Sequence, residues 1–275
     1  MKFPGLVEMH VHTAPDVRPR RHTDGELAAL ARSAGALALV LKSHHVPTME
    51  RARLTETVTP GLKVFGGMVL NHPQGGLNPA AVERALKEGA RVIWLPTLHA
   101  DNHRRQEGHD DGIVTVRNGR VVDRAEEIFT LIASAGAILA TGHLGAAEIP
   151  AAVASAAARG VTRIVVTHPE HRVVGMSIDA QRELRSRFPV FFERCFAQPT
   201  GQGRYTLNLE ANLQAIRALG VASTILATDS GQVENPPWDE CWAQIFDHLR
   251  QAGISEADLA TMCIGNPSGL LGLKA

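Results

Sequence analysis

Histidine is the residue type that most clearly suggests chemistry in this chain of 275 residues, which contains 13 of them. Imidazole titrates near neutrality and is the commonest metal ligand in proteins. His10 and His12 alternate along one short apolar run, so both rings lie on the same face of a predicted strand. Two neutral imidazoles on one face predict a Zn2+ site, if other strands supply further ligands and leave one position to water.

Short apolar runs, separated by helical stretches, predict the strands that carry such groups. Most of the runs are apolar almost throughout, which is typical of parallel strands buried on both faces. The predicted strands are Gly5–His12, Ala36–Ser43, Lys63–Asn71, Ala90–Thr97, Ala137–His143, Arg163–His168, Pro189–Cys195 and Ser223–Asp229. This alternation predicts an α/β fold, a distorted (β/α)8 TIM barrel that forms a single domain over residues 1–275. An open doubly wound sheet is the alternative, but no strand leads into G-x-G-x-x-G or a P-loop.

The helical stretches have readable ends. Thr23 and Glu26 have the spacing of a capping box, and Asn78-Pro79 places a cap and a first-turn proline before Ala80–Lys87. The other predicted helices are Arg124–Ser134, Ala146–Arg159, Asp179–Arg187, Leu207–Leu219, Trp238–Gln251 and Glu256–Cys263, with Thr48–Thr57 as a helix or an irregular connection.

The connection after strand four, residues 98–123, is too long for an ordinary loop of a barrel. Its alternating segments 114–116 and 120–122 flank Asn118-Gly119, a dipeptide that favours a tight hairpin turn. Long insertions are usually functional lids or disordered, and the hairpin favours an ordered lid.

Polar residues stand at the C-terminal end of every predicted strand, and in a barrel these ends meet at the rim where active sites form. One histidine at a strand end is more often a hydrogen-bonded structural group than a ligand. The His10 and His12 pair is different, and with a convergent His143 and Asp229 it predicts a metal site that has an open position for water.

These residues resemble the motif set of the amidohydrolase superfamily, and in particular a branch of amidohydrolase-related proteins whose substrates are not established. The resemblance covers residues 5–273 and includes a closing segment that resembles the usual C-terminal signature. The motifs read Glu8-Met9-His10-Val11-His12, Ala140-Thr141-Gly142-His143, Val166-Thr167-His168-Pro169, Ala227-Thr228-Asp229-Ser230 and Asn266-Pro267 followed by Leu270-Leu271-Gly272-Leu273.

The resemblance implies a metal-dependent hydrolase in which His10, His12 and His143 are metal ligands. Asp229 would bind the metal or accept the proton of its water, and His168 would bind a second metal or act as an acid–base group. Zn2+ is the expected metal, and Mn2+, Fe2+ or Ni2+ also suit imidazole and carboxylate ligands. The expected reaction is the attack of activated water on an amide, ester, lactone or phosphoester.

The chain departs from the binuclear members of the superfamily on strand four. Those members bridge two metals with a carboxylated Lys or a Glu, and Ala90–Thr97 contains neither residue. One metal is therefore the simpler expectation. The residues that remain as second-metal or substrate contacts are Lys42, His45, His72, His99 and Glu193.

The expected partner is a small, anionic substrate, because Arg18, Arg21 and Arg204 lie on predicted rim loops and arginine binds carboxylate or phosphate in bidentate fashion. The 28 basic and 28 acidic residues balance, which gives no support for nucleic-acid or membrane-surface binding. No signal peptide or membrane span is recognisable, and the three scattered cysteines are typical of reduced thiols, so a cytoplasmic protein is expected. Whether the protein forms a homo-oligomer remains open from the sequence.

Three other functions remain open from the sequence. The same fold and metal can support non-oxidative decarboxylation or hydration. A nuclease or phosphoesterase like the TatD group is disfavoured by the missing strand-four Glu and the balanced charge. A non-catalytic metal-binding barrel would need four protein ligands and no water on the metal.

Overall fold

A computed structural model describes residues 2–273, which form two compact units. Unit 1 comprises residues 2–43, 50–66 and 193–273, and unit 2 comprises residues 44–49 and 67–192. The strands are β1 Val7–Val11, β2 Ala38–Leu41, β3 Lys63–Phe65, β4 Gly67–Val69, β5 Val92–Trp94, β6 Val116–Arg117, β7 Arg120–Val121, β8 Ile138–Ala140, β9 Ile164–Val166, β10 Val190–Cys195, β11 Ala197–Gly201, β12 Arg204–Leu207 and β13 Thr224–Ala227.

Helices follow most of the parallel strands. They are α1 Asp24–Ala34, α2 Met49–Val58, α3 Pro79–Lys87, α4 Asp101–Gln106, α5 Asp123–Ala135, α6 Ile149–Ala158, α7 Ile178–Arg187, α8 Leu209–Leu219, α9 Trp238–Gln251, α10 Glu256–Ala260 and α11 Asn266–Leu271. Short 3-10 turns cover His72–Gln74 and Val221–Ser223, and a π-helical turn covers Thr261–Gly265. The capping box predicted at Thr23 and Glu26 is confirmed at the start of α1.

In unit 1, strand β1 lies between β2 and the chain that follows β13. It pairs in parallel with β2, which pairs in parallel with β3. On its other side Val11 forms a parallel bridge with Ser230, and the amide of Asp229 donates to the carbonyl of His10 at 2.9 Å. Both neighbours of β1 therefore present their carboxyl ends beside the end of β1.

The core of unit 1 packs α9 against the beginning of the chain. The buried residues of α9 follow helical spacing and end with Leu249, so they form one apolar face. Trp238 on this face meets Phe3 edge to face, with ring centroids 5.9 Å apart. Such aromatic pairs contribute about 0.5–1.5 kcal/mol beyond the burial of their area.

Unit 2 contains a parallel sheet in the order β4-β5-β8-β9-β10. Beside it, α5 packs against α3 and α6, and the three helices form one layer. Strand β10 begins in unit 2 at Val190, and its residues from Glu193 onward belong to unit 1. The antiparallel strands β6 and β7 form the hairpin about Asn118-Gly119. The same segment holds α4, which the sequence analysis did not predict.

The predicted strand Lys63–Asn71 is two strands, β3 and β4. Strand β4 begins at Gly67, whose backbone lies very close to that of Val92. A Cβ added at Gly67 would lie 2.2 Å from the carbonyl oxygen of Val92. A second hairpin, β11 and β12, was missed by the sequence analysis. Its turn residues Gln202 and Gly203 have φ of 54° and 69°, and the glycines around Gln202 were the available signal.

An α/β fold with parallel sheets is confirmed, while the closed eight-stranded barrel and the single domain stay predictions. No helix between residues 2 and 273 combines the length and the apolar character that crossing a membrane requires. Cys195, Cys241 and Cys263 are buried and unbridged.

Candidate metal centre

Three of the residues predicted to hold a metal, His10, His12 and Asp229, lie in unit 1, beside the end of β1. Alternation along the strand puts Glu8, His10 and His12 on one face, and all three side chains are buried, at 0%, 0% and 1% exposure. The amide of His12 donates to the carbonyl of Ser230 at 2.8 Å, which holds the strand end against the segment that contains Asp229.

The Oδ1 atom of Asp229 is the point on which both imidazoles converge. It lies 3.1 Å from Nε2 of His10 and 3.1 Å from Nε2 of His12. Asp229 has a φ of 50°, in the left-handed region that few residues other than glycine adopt. Backbone conformations of this kind cluster at functional sites, so the strained turn after β13 is itself an indication of function.

These three atoms fit a divalent metal ion. Zn2+ bonds of 2.0–2.1 Å in tetrahedral geometry separate neighbouring ligand atoms by about 3.3 Å, close to the spacing between the Asp229 oxygen and each imidazole. Two imidazoles and one carboxylate are donors of the type that Zn2+ prefers. A second group of donors, His10, Glu193 and Cys195, shares His10 with the first.

Glu193 and Lys42 approach the two nitrogens of His10. Oε2 of Glu193 is 2.9 Å from Nδ1 of His10, and Nζ of Lys42 is 2.8 Å from Nε2. Burial opposes protonation of His10, but Asp229 and Glu193 outweigh burial and the Lys42 cation and raise the pKa of His10 to about 9. Burial lowers the pKa of Lys42 against the attraction of both carboxylates. A metal on His10 would therefore displace a proton and the amine of Lys42.

Asp229 and His12 have pKa values shifted in the downward direction. Burial alone would raise the pKa of Asp229, but His10 and then His12 hold it well below the usual range. Burial, followed by the cation of Arg20, lowers the pKa of His12 to about 3. Asp229 is thus a carboxylate and His12 a neutral ring near pH 7.

Gly231 lets the turn after β13, which contains Asp229, pass close to the backbone of His12. Its φ is 119°, and a Cβ there would lie 1.9 Å from the carbonyl oxygen of His12. We expect Gly231→Ala to lower the melting temperature and the metal affinity together, because the backbone of His12 must shift. The matched control is Gly25→Ala in α1, where a Cβ meets nothing within 4 Å. Unchanged metal affinity in Gly231→Ala would contradict this expectation.

The three arginines predicted to bind an anion lie in unit 1, and their role stays a prediction. Arg18 is exposed, Arg21 donates to the carbonyl of Val233, and Arg204 is exposed on β12, where it donates to Gln202. Arg20, which follows the first strand together with Arg18 and Arg21 and was expected to suit an anion in the same way, contacts His12, with Nη2 3.4 Å from Nδ1.

His143 and His168 lie in unit 2, among further histidines that the motifs did not assign. Nδ1 of His143 is 2.6 Å from Nδ1 of His103 on α4, and the ring of His168 is 5.1 Å from that of His143. The ring of His171 is 4.8 Å from that of His168. His168 also has a positive φ, 27°, in common with Asp229. Helix α4, in the connection of residues 98–123, thus places the imidazole of His103 beside that of His143.

The remaining predicted contacts also lie in unit 2. His72 and His99 meet edge to face with ring centroids 4.8 Å apart, and His44 and His45 do so at 6.3 Å. Nδ1 of His44 is 2.8 Å from the hydroxyl of Thr97. The roles of His45, His72 and His99 stay predictions.

Comparison with known proteins places the chain in a family. The profile of a family of unknown function, DUF6282, matches residues 5–193, and the chain belongs to this family. No curated protein matches the chain.

Solved structures establish the kind of fold. An amidohydrolase from Pseudomonas aeruginosa is 11% identical with a TM-score of 0.67, covering 97% of this chain and 95% of its own. An amidohydrolase from Burkholderia multivorans with bound HEPES is 14% identical with a TM-score of 0.64, covering 98% and 99%. An organophosphorus hydrolase from Deinococcus radiodurans is 16% identical with a TM-score of 0.60, covering 96% and 92%. The predicted resemblance to amidohydrolases is thus confirmed for the fold.

Proposed function

We propose that this protein is a metal-dependent hydrolase that uses His10, His12 and Asp229 to hold a divalent metal ion, most simply one Zn2+. The observation that carries the proposal is the convergence of two buried imidazole nitrogens on one carboxylate oxygen at 3.1 Å each. The fold of solved amidohydrolases supports it, and one structure of the Burkholderia multivorans protein contains bound zinc. The closed (β/α)8 barrel belongs to the same proposal.

When bound, the metal supplies a water of lowered pKa and a Lewis acid. Asp229 is ionised near pH 7, so its carboxylate can accept a proton from that water. Its Oδ1 atom faces Nε2 of both imidazoles. Glu193 holds His10 from the opposite side of the ring. The roles of His143 as a ligand and of His168 as an acid–base group stay predictions from the resemblance.

The substrate class is a small anionic molecule with an amide, ester, lactone or phosphoester bond. The similar structures include an organophosphorus hydrolase and a protein engineered for organophosphate hydrolysis from a weak promiscuous lactonase template. This supports testing phosphoesters and lactones that carry an anionic group first. Purified protein loaded with Zn2+, Mn2+ or Ni2+ should hydrolyse at least one class in this panel. Release of carbon dioxide without hydrolysis would instead support the decarboxylase alternative.

Removing both first-strand histidines tests the ligand assignment directly. We expect His10→Ala combined with His12→Ala to strip the metal, because two of the three converging donors are lost. Elemental analysis measures the metal, and circular dichroism checks that the fold is kept. His109→Ala, at an exposed position of unit 2, is the matched control. Full metal occupancy in the double variant would refute the assignment.

Metal affinity should also depend on pH in a defined direction. His10 has a pKa raised to about 9, so near neutrality a metal must displace its proton. The affinity should therefore rise about tenfold per pH unit from about pH 6 and level off near pH 9. Competition with a chromophoric chelator across this range measures the slope. A flat profile would show that His10 is not a ligand.

A further inference from the structure

The two imidazoles of the candidate metal centre have opposite neighbours at Nδ1. Nδ1 of His10 faces the carboxylate oxygen Oε2 of Glu193 at 2.9 Å. Nδ1 of His12 faces the guanidinium nitrogen Nη2 of Arg20 at 3.4 Å. One ring is thus backed by a hydrogen-bond acceptor and the other by a donor.

This difference determines where each ring carries a proton. A carboxylate accepts, so Nδ1 of His10 donates to Glu193 and the side of the ring that faces Asp229 is the side that can bind a cation. A guanidinium only donates, so Nδ1 of His12 accepts from Arg20 and the ring proton lies on Nε2. Nε2 of His12 lies 3.1 Å from Oδ1 of Asp229, on the side of the ring where a metal would bind. On His10 one proton lies on Nδ1 against Glu193, so loss of the other proton leaves Nε2 able to bind a metal. On His12 the proton lies on Nε2 and opposes metal ligation.

Arg20 is anchored in this position. Its side chain is only 3% exposed, and its Nε donates to Oδ2 of Asp16 at 2.7 Å, with the Asp16 side chain at 0% exposure. Asp16 and Arg20 are four positions apart in the loop that follows β1, so this loop alone supplies both members of the ion pair. A guanidinium stays charged at all ordinary pH values, so Arg20 can release His12 only by moving.

We propose that Arg20 is a positioning residue that holds His12 in the tautomer unsuited to metal ligation, while Glu193 holds His10 in the suited one. A metal that binds both rings must separate Arg20 from His12, so the Arg20–Asp16 pair opposes loading of the site. The consequence for metal affinity rests on the proposed function, whereas the tautomer assignment does not.

The test uses two variants with effects of opposite sign. Glu193→Gln should weaken binding of Zn2+ by about 10–100-fold, the usual effect of removing a partner of a ligating imidazole. Arg20→Gln should tighten binding by about tenfold, because the buried cation is removed and the amide offers an oxygen that can accept from Nδ1–H of His12. Arg53→Gln, at an exposed position of α2 in the same unit, is the matched control and should leave the affinity unchanged.

A readout without metal separates this proposal from the proposed function. Long-range 15N–1H spectra of metal-free wild-type protein report which nitrogen of each ring carries the proton, and His12→Gln assigns the His12 signals. We expect Nε2–H on His12 in the wild type, and a shift toward Nδ1–H in Arg20→Gln. Nδ1–H on wild-type His12 would overturn the proposal, as would weaker metal binding in Arg20→Gln. A wild-type protein that binds no metal but shows these tautomers would overturn only the proposed function.

Discussion

Asp229→Asn is expected to lower turnover by about 10²–10⁴-fold, the usual contribution of a positioned proton acceptor. The amide keeps one oxygen that can face a metal but cannot take up a proton. Its NH2 group is a donor that cannot bind a metal, and the amide is uncharged, so metal affinity should fall as well. The loss of turnover is measured as kcat on an ester, lactone or phosphoester that the metal-loaded enzyme hydrolyses.

The control for this variant is Asp179→Asn, at a side chain that is 90% exposed, where turnover should stay at the wild-type value. Metal content and circular dichroism, measured on both variants, separate loss of catalysis from loss of metal or fold. Normal turnover in metal-loaded Asp229→Asn would remove Asp229 from the mechanism.

Glu8→Ala is expected to cost several kcal/mol of stability, although Glu8 belongs to no ligand set. Its carboxylate is fully buried and accepts from the backbone amide of His10 at 3.0 Å and from the hydroxyl of Thr228 at 2.7 Å. It also accepts from the indole N–H groups of Trp238 and Trp242, at 3.0 and 3.1 Å. Alanine would leave these donors buried without an acceptor, at about 1–3 kcal/mol each.

Glu8→Gln gives this prediction a pH signature. Burial raises the pKa of Glu8 from 4.5 to about 7, while hydrogen bonds from Thr228 act in the opposite direction. A carboxyl whose pKa is higher in the folded chain takes up protons on folding, so its contribution to stability is full below pH 4.5 and declines as pH rises through about 7.

Chemical denaturation of metal-free protein measures both the loss of stability in Glu8→Ala and the pH dependence seen with Glu8→Gln. The difference in unfolding free energy between wild type and Glu8→Gln should fall by about 3 kcal/mol between about pH 4.5 and about pH 7, and stay level above. Glu50→Ala, at an exposed position of α2, is the matched control for Glu8→Ala. Equal stability of Glu8→Ala and Glu50→Ala would show that the donors find other partners.

Much of the local structure could be predicted because its signals are local. The capping box at Thr23, the proline at the start of α3 and the hairpin about Asn118 each depend on a few neighbouring residues. The division of one predicted strand into β3 and β4 could not be predicted in this way. It depends on which neighbouring strand each half pairs with. The helix α4 was also missed, because its charged sequence lacks an apolar face.

By itself, the sequence determined the donor types of the candidate site and the face on which His10 and His12 lie, because the period of a strand is a property of the backbone. Only the tertiary structure decided which groups stand behind these rings. Glu193 and Arg20 reach Nδ1 of the two histidines from other parts of the chain, one from β10 and one from a loop. The two histidines of one apolar run thus have opposite neighbours at Nδ1, an acceptor behind His10 and a donor behind His12, because strand periodicity does not specify what packs behind each ring.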